Sequence, residues 1–237
     1  MKILALDSSA VSASAAVLDD DKVLGELFIN TKQTHSQTLM PMVQQVLIQT
    51  KTSLEEIDLF AVSAGPGSFT GVRIGVACVK GMAFAQNKPC IGVSTLEAMA
   101  YPLSMLNGII CAVMDARCQQ VYHALFRVNG SKVERIYDDC AVAISDLAES
   151  LRQYSDETIY LVGDGAKLCY ESEAFQPLQV QLIAEHLQYQ RAVGVAQCAI
   201  MHLKQEACKV TAEQLAPVYL RLPQAERELK KKLEGTT

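Results

Sequence analysis

Two stretches of this chain open in the same way. Lys2–Asp7 is a short apolar run that ends in an aspartate and leads through small polar residues into a second strand. Ile109–Asp115 does the same, followed by Ala116-Arg117 and another strand. A short apolar run bounded by turn residues reads as a buried strand. Two such openings predict a duplicated α/β fold, in which each half begins on a strand that delivers a carboxylate to a turn. The length agrees: 237 residues make one to two domains at about 150 residues each. The expected division is a first lobe over 1–105 and a second over 106–237.

Between those openings the pattern alternates. Strands at 13–18 and 22–29 flank the turn Asp19-Asp20-Asp21, an antiparallel start to a sheet. A helix follows over 35–51, with Pro41 near its start. Ser53-Leu54-Glu55-Glu56 has the form of a capping box, and 57–63 reads as a buried strand. After the break at 65–71 come a helix over 70–86, a strand at 90–93 and a helix N-capped by Ser94. In the second half, strands at 109–114 and 119–128 precede Asn129-Gly130, a strong hairpin signal, and 131–137 returns. Helices at 144–153, 165–173 and 193–208 surround a strand at 159–162. Helix 193–208 is expected to pack back on the first lobe, and 226–234 reads as a solvated tail.

Composition excludes several classes. Hydrophobic residues are 50% and charged ones 20%, so the chain can bury a core and is not disordered. Aromatics are only 6% and Trp is absent, which suits tight helix-on-sheet packing. The net charge of −5 argues against a strong phosphate-backbone binder. Only Ile3-Leu4-Ala5-Leu6 precede Asp7 as an apolar run, too few for a signal-peptide core. No stretch nears the ~18 apolar residues of a membrane span, so a cytoplasmic protein is expected. The cysteines at 78, 90, 111, 118, 140, 169, 198 and 208 form no Cys-x-x-Cys pair and read as small core residues, a redox role being the alternative.

The stretch Gly65-Pro66-Gly67-Ser68-Phe69-Thr70-Gly71 lies between a buried strand and a helix. Glycines allow close backbone approach, and a helix N-terminus is a ready anion site. A phosphate loop and a well-capped strand-to-helix turn both fit; a Walker loop does not, for lack of Gly-Lys-Ser/Thr. Asp7-Ser8-Ser9 is a candidate phosphate or metal-water contact, or an Asx turn joining two strands. The histidines at 35, 123, 186 and 202 form no His-x-x-x-His pair. His35 reads as a helix-capping residue and His202 with Glu206, at i, i+4, as a surface pair, a metal-holding pair being the alternative. No triad, carboxylate pair or metal cage emerges.

The two helices of the first half carry another message. Leu39, Met40, Met42, Val43, Val46 and Leu47 span an arc of ~160°, with Ile48 beyond it. In helix 70–86, Val72, Ile74, Val76, Val79, Met82 and Phe84 go almost all the way round. A helix apolar on all sides is covered on all sides, either by its own fold or by a partner. The methionines at 40, 42 and 82 suit an adaptable interface.

Taken together, Ile3–Ser9, His35-Ser36 with Leu39-Met40-Pro41, Ala61–Gly75, Gly92–Glu97 and Asp115-Ala116-Arg117 resemble the TsaB (YeaZ) family of bacterial tRNA threonylcarbamoyladenosine biosynthesis. The Gly-Pro-Gly-Ser-Phe-Thr-Gly-x-Arg stretch carries most of the specificity. The resemblance implies an actin/Hsp70/sugar-kinase-like (ASKHA) α/β fold of two lobes, with mixed sheets flanked by helices. It implies a vestigial nucleotide site at Asp7, Ser8, Ser9, Gly65, Gly67, Ser68 and Asp115, depleted because Asp7-Ser8-Ser9 lacks the usual glycine. The His-x-x-x-His metal motif of the catalytic relative TsaD is missing, so neither catalysis nor a metal is expected. The only cofactor expected is a weakly bound nucleotide at a subunit interface. The resemblance further implies a scaffold that binds TsaD through Leu39, Met40, Val43, Leu47, Val72, Val76, Val79 and Met82. The ATPase TsaE then joins, and TsaD transfers threonylcarbamoyl from its adenylate to N6 of the adenosine beside the anticodon. A homodimer is expected in isolation, with tRNA reached mainly through the complex. An ATP-dependent small-molecule kinase is the alternative; a peptidase lacks a nucleophile–base pair.

Overall fold

The computed structural model describes residues 1–130, 132–204 and 208–221. The first half is β1 (Lys2–Asp7), β2 (Ala13–Asp19), β3 (Lys22–Ile29), α1 (His35–Thr50), β4 (Leu59–Gly65), α2 (Phe69–Gln86), β5 (Cys90–Ser94) and α3 (Thr95–Ala100). The second repeats that order as β6 (Gly108–Asp115), β7 (Gln120–Asn129), β8 (Lys132–Ala143), α4 (Ile144–Leu151), β9 (Ile159–Val162), α5 (Ala166–Tyr170), β10 (Val180–Leu182) and α6 (Ala192–Leu203).

The two sheets share one topology. Strand order is β3-β2-β1-β4-β5 in the first and β8-β7-β6-β9-β10 in the second. In each, a three-stranded antiparallel meander is extended by two parallel strands reached through helical crossovers. The repeat foreseen from Asp7 and Asp115 therefore holds strand by strand, and both aspartates end central strands.

Strand alternation divides each lobe's core in two. In the first sheet, Leu4, Leu6, Val17, Phe60 and Val62 face α1 and α2. Ile3, Ala5, Leu18, Leu59 and Ile91 face the opposite way, against Ala192, Val195, Ala196 and Ala199 of α6. In the second sheet, Ile109, Cys111, Val121 and Leu161 face α4 and α5. Ile110, Ala112, Ala124 and Phe126 pack instead on Leu96, Met99 and Ala100 of α3. The last helix of each half thus covers the other half's sheet, and α3 and α6 pack against each other between the lobes. Their approach is close: a Cβ at Gly194 would sit 2.1 Å from the Ala98 carbonyl oxygen.

Several boundaries move. Pro41 is the seventh residue of α1, beyond the first turn, so it forfeits one intrahelical bond. Ser53 does meet Glu56, its N–H donating to the carboxylate at 2.8 Å, but the turn it opens is a single 3₁₀ turn. β8 runs to Ala143 rather than stopping at 137. The three-residue β10 was too short to leave a periodicity. His35 caps nothing: its Nε2 lies 2.7 Å from the Ala10 carbonyl and ties α1 to the turn after β1. The tail at 226–234 and Glu206 lie outside the described residues.

Beyond α6 the chain returns to the first lobe. Cys90 and Val210 exchange backbone hydrogen bonds at the β5 edge. Lys80 donates to the carbonyls of Glu213 and Leu215 at 3.1 and 2.9 Å. The Val218 N–H donates to the Ala64 carbonyl at 2.7 Å. This segment then crosses toward the second lobe, where the Arg221 guanidinium donates to the Ala116 carbonyl at 2.7 Å.

Candidate functional site: the cleft between the lobes

The 65–71 stretch is the crossing from β4 to α2. Ser68 is the N-cap, its hydroxyl accepting from the Gly71 N–H at 3.3 Å. The loop lies on the turn after β1: the Ser68 N–H donates to the Ser9 carbonyl at 2.7 Å, and the Ser8 hydroxyl donates to the Gly71 carbonyl at 2.9 Å. That proximity is what the glycines serve. A Cβ at Gly71 would meet the Ser8 oxygen at 2.1 Å, and one at Gly67 the Ser9 oxygen at 2.4 Å. Of the two readings the sequence left open, the packed strand-to-helix turn accounts for these glycines.

Asp7 is buried, and both its oxygens are occupied. One accepts from the Ser9 N–H and hydroxyl, each at 2.9 Å; the other accepts from the Ser63 hydroxyl. Burial raises its carboxyl above the ordinary value, against those hydrogen bonds. This is the Asx-turn reading of Asp7-Ser8-Ser9. Asp115, its counterpart in the second lobe, accepts from the Arg117 N–H at 2.7 Å and pairs with the Arg117 guanidinium at 3.2 Å. The turn that follows is left-handed at Arg117, Cys118 and Gln119 in succession, a conformation that costs non-glycine residues.

A cleft of about 360 Å³ opens above these turns, at the small end of ligand pockets. Ser9, Gly67, Ser68 and Asp115 line it. Asp7 and Ser8 lie beneath it, and Gly65 is covered by Val218, whose carbonyl oxygen would stand 2.3 Å from an added Cβ. Sequence reasoning missed Asp164, Tyr219 and Arg221, which also line the cleft. Asp164 lies in Gly163-Asp164-Gly165 directly after β9, a strand-then-glycine signal like the one after β4. Burial pushes its carboxyl up to about 6, the Gln190 amide opposing at 2.9 Å and the charges of Asp115 and Asp7 adding to the rise. Tyr219 packs on Phe69 in a tilted pair with centroids 4.8 Å apart and accepts from Arg73 Nε at 2.7 Å. The charged lining is mixed: the carboxylates of Asp115 and Asp164 stand with the guanidinium groups of Arg117 and Arg221.

The expected interface residues divide. Leu39, Val43, Val72, Val76, Val79 and Met82 are buried in the chain's own first-lobe core. They are not available to a partner in this conformation, because the first sheet itself uses that face of both helices. Leu47 packs at the edge of that core, and Met40 is 43% exposed. What the helices leave open is a second face, with Met40, Gln44 and Ile48 on α1 and Ala77, Gly81 and Phe84 on α2. Ile48 is 59% and Phe84 70% exposed.

All eight cysteines are free. Cys90, Cys111, Cys169 and Cys198 are core residues, three others are half-buried and Cys118 is exposed. His202 turns toward Glu97 of α3, with Nε2 3.1 Å from its carboxylate. Among the described residues no helix is long and apolar enough to cross a membrane.

A family model described as TsaD, tRNA N6-adenosine threonylcarbamoyltransferase, matches residues 22–229. The "tRNA threonylcarbamoyladenosine biosynthesis protein TsaB" of Bacillus subtilis (strain 168) is 31% identical over 95% of this chain and 96% of its own length. Its namesake from Escherichia coli (strain K12) is 32% identical over 78% and 88%. Among solved structures, YeaZ from Pseudomonas aeruginosa superposes with a TM-score of 0.77 at 27% identity, over 92% of this chain and 99% of that one. The ethanolamine utilization protein EutJ from Carboxydothermus hydrogenoformans shares the fold, with a TM-score of 0.51 at 14% identity over 84% and 90%. The duplicated lobes are those of the actin/Hsp70/sugar-kinase-like fold, and the chain belongs to the TsaB (YeaZ) family of tRNA threonylcarbamoyladenosine biosynthesis proteins.

Proposed function

We propose that this chain is the non-catalytic subunit of a tRNA threonylcarbamoyladenosine-forming complex. It docks a TsaD-type catalytic subunit through the outer faces of α1 and α2, and a TsaE-type ATPase joins that pair. The catalytic subunit then moves threonylcarbamoyl from its adenylate to N6 of the adenosine beside the anticodon. With a net charge of −5, this subunit leaves most of the tRNA contact to the complex.

The observation that carries the reading is the missing charge on two neighbouring helices. α1 has no Asp, Glu, Lys or Arg over its sixteen residues. α2 has Arg73, which stacks on Phe69 at 3.7 Å, and Lys80, which is spent on the C-terminal segment. A helix face turned to water is normally charged. An outer face on which open Met40, Ile48 and Phe84 stand beside only two charges, Arg73 and Lys80, both engaged within the chain, marks an interaction surface. Gly81 adds to this: nothing lies within 4 Å of where its Cβ would stand. The fold gains nothing from glycine there, whereas a close-packed partner helix would. The same face can close a homodimer when no partner is present.

The test is reconstitution of the modification on tRNA with catalytic subunit and ATPase, with and without this chain. Omission should abolish product. Ile48→Glu and Phe84→Glu change exposed residues, so the chain should fold normally. Each should weaken copurification with the catalytic subunit about tenfold or more. Wild-type copurification in both would overturn the docking face. Steady Mg-ATP turnover by the isolated chain on a small-molecule acceptor would establish the kinase reading instead.

A further inference from the structure

Away from the cleft, Glu97 of α3 meets Cys198 and His202 of α6. The last two are one helical turn apart on the face that packs against α3. Nε2 of His202 lies 3.1 Å from Oε1 of Glu97 and 3.7 Å from Sγ of Cys198. The three donor atoms all lie within 4.8 Å of one another. We infer that Glu97, Cys198 and His202 form a site for one divalent transition ion, Zn²⁺ foremost, that clamps α6 to α3 between the two lobes.

The distances fit the ion. With metal–ligand bonds near 2.0 Å to oxygen and nitrogen and 2.3 Å to sulfur, a tetrahedron has edges of about 3.3 Å from nitrogen to oxygen and about 3.5 Å from nitrogen to sulfur. The observed 3.1 and 3.7 Å are already close to those edges. The donor set of thiolate, imidazole and carboxylate selects Zn²⁺ over Mg²⁺ or Ca²⁺, which take oxygen ligands. Three protein ligands leave a fourth position for water.

The surroundings are those of a supported site. The second oxygen of Glu97 is held by Arg135 at 3.1 Å, and Arg135 is held in turn by Asp139 at 2.6 Å. Asp139 also accepts from the Ser94 hydroxyl. A metal-bound carboxylate fixed by an outer partner has this arrangement. The charges balance: a dication with one thiolate and one carboxylate is neutral, and so is the Arg135–Asp139 pair. Cys198 is fully buried, while the side chains of Glu97 and His202 keep 13% and 20% exposure, which gives an ion a way in. The sequence hides the site, since the carboxylate comes from a different lobe segment than the Cys-x-x-x-His pair.

The experiment uses the full chain, stripped by chelator and titrated with Zn²⁺ by calorimetry and with Co²⁺ by absorption. We expect one equivalent of each, with a thiolate-to-cobalt charge-transfer band in the near ultraviolet. Cys198→Ser should remove that band, whereas Cys78→Ser, at a half-buried cysteine elsewhere, should keep it. His202→Gln at the rim, which spares the buried helix contact, should lower Zn²⁺ affinity by about tenfold or more. Absence of a saturable single site, a band that survives Cys198→Ser, or unchanged affinity in His202→Gln would each overturn the assignment.

Discussion

Asp164 offers a sharp test of the cleft's electrostatics. Its carboxyl is held near 6 by burial, with help from the charges of Asp115 and Asp7, against about 3.9 in an unfolded chain. The rise means that the folded protein favours the protonated acid. Its contribution to stability is therefore greatest below about pH 4 and is lost as pH rises through about 6. Two units at 1.36 kcal/mol each give nearly 3 kcal/mol, and residual exposure to the cleft brings the expectation to about 1–3 kcal/mol. Asp164→Asn imitates the protonated acid at every pH and keeps an oxygen to accept from Gln190. The variant should match wild type near pH 4 and exceed it by about 1–3 kcal/mol at pH 8, or by several degrees in Tm. Urea midpoints for both proteins from pH 4 to 8 measure this directly. Titrations of groups remote from Asp164 cancel in the difference, whereas Asp7, whose charge acts on Asp164, is relieved by the variant in the same direction. A gain that is equal at both ends of the range, or a loss at pH 8, would refute the reasoning.

Two glycines give opposite expectations from the same geometric argument. Gly71→Ala drives a methyl to 2.1 Å from the Ser8 carbonyl oxygen; with backbone on both sides, the cost should be about 1–3 kcal/mol, read as a lower denaturation midpoint. Gly81→Ala meets nothing and sits inside a helix. It should stabilise the isolated chain by up to about 1 kcal/mol while weakening capture of the catalytic subunit, and a variant that gains stability with no change in capture would remove Gly81 from the docking face.

How much of this was legible depended on whether the information was local. The strands at 2–7 and 109–115 announced themselves by short apolar runs ending in aspartate, and the duplicated topology follows from them. The Ser94 cap was legible for the same reason, its hydroxyl accepting from the Glu97 N–H three residues on. Helix α1 was legible as a broad apolar arc of ~160° and α2 as apolar nearly all round, but periodicity does not say which side meets the sheet. That is why Val43 and Val76 proved to be core while Ile48 and Phe84 face outward. The packing of helix 193–208 on the first lobe was expected, and α6 lies against the first sheet; that α3 covers the second sheet was not legible, because a helix's own sequence does not name the sheet it covers. The crossing of the cleft by 216–221 has no periodic signal at all, and Arg221 enters the site only through its long-range bond to Ala116.

The cleft keeps the shape of a nucleotide fold but turns its donors inward. A phosphate loop works by leaving N–H and hydroxyl groups free for the ligand. Here the Ser68 N–H serves Ser9, the Gly71 N–H serves the Ser68 hydroxyl, Ser9 and Ser63 serve Asp7, and the Arg117 N–H serves Asp115. Each such bond stabilises by roughly 0.5–1.5 kcal/mol net, so a phosphate that recruits these groups must first forfeit them. It would then lie among Asp115, Asp164, Arg117 and Arg221, which line the cleft together. The position of one lobe against the other rests on contacts the chain makes with itself. These are the α3–α6 pair, with Gly194 against Ala98, and the segment that joins Val218 to Ala64 and Arg221 to Ala116. These contacts join the two lobes through the chain's own groups, which agrees with the proposed docking role.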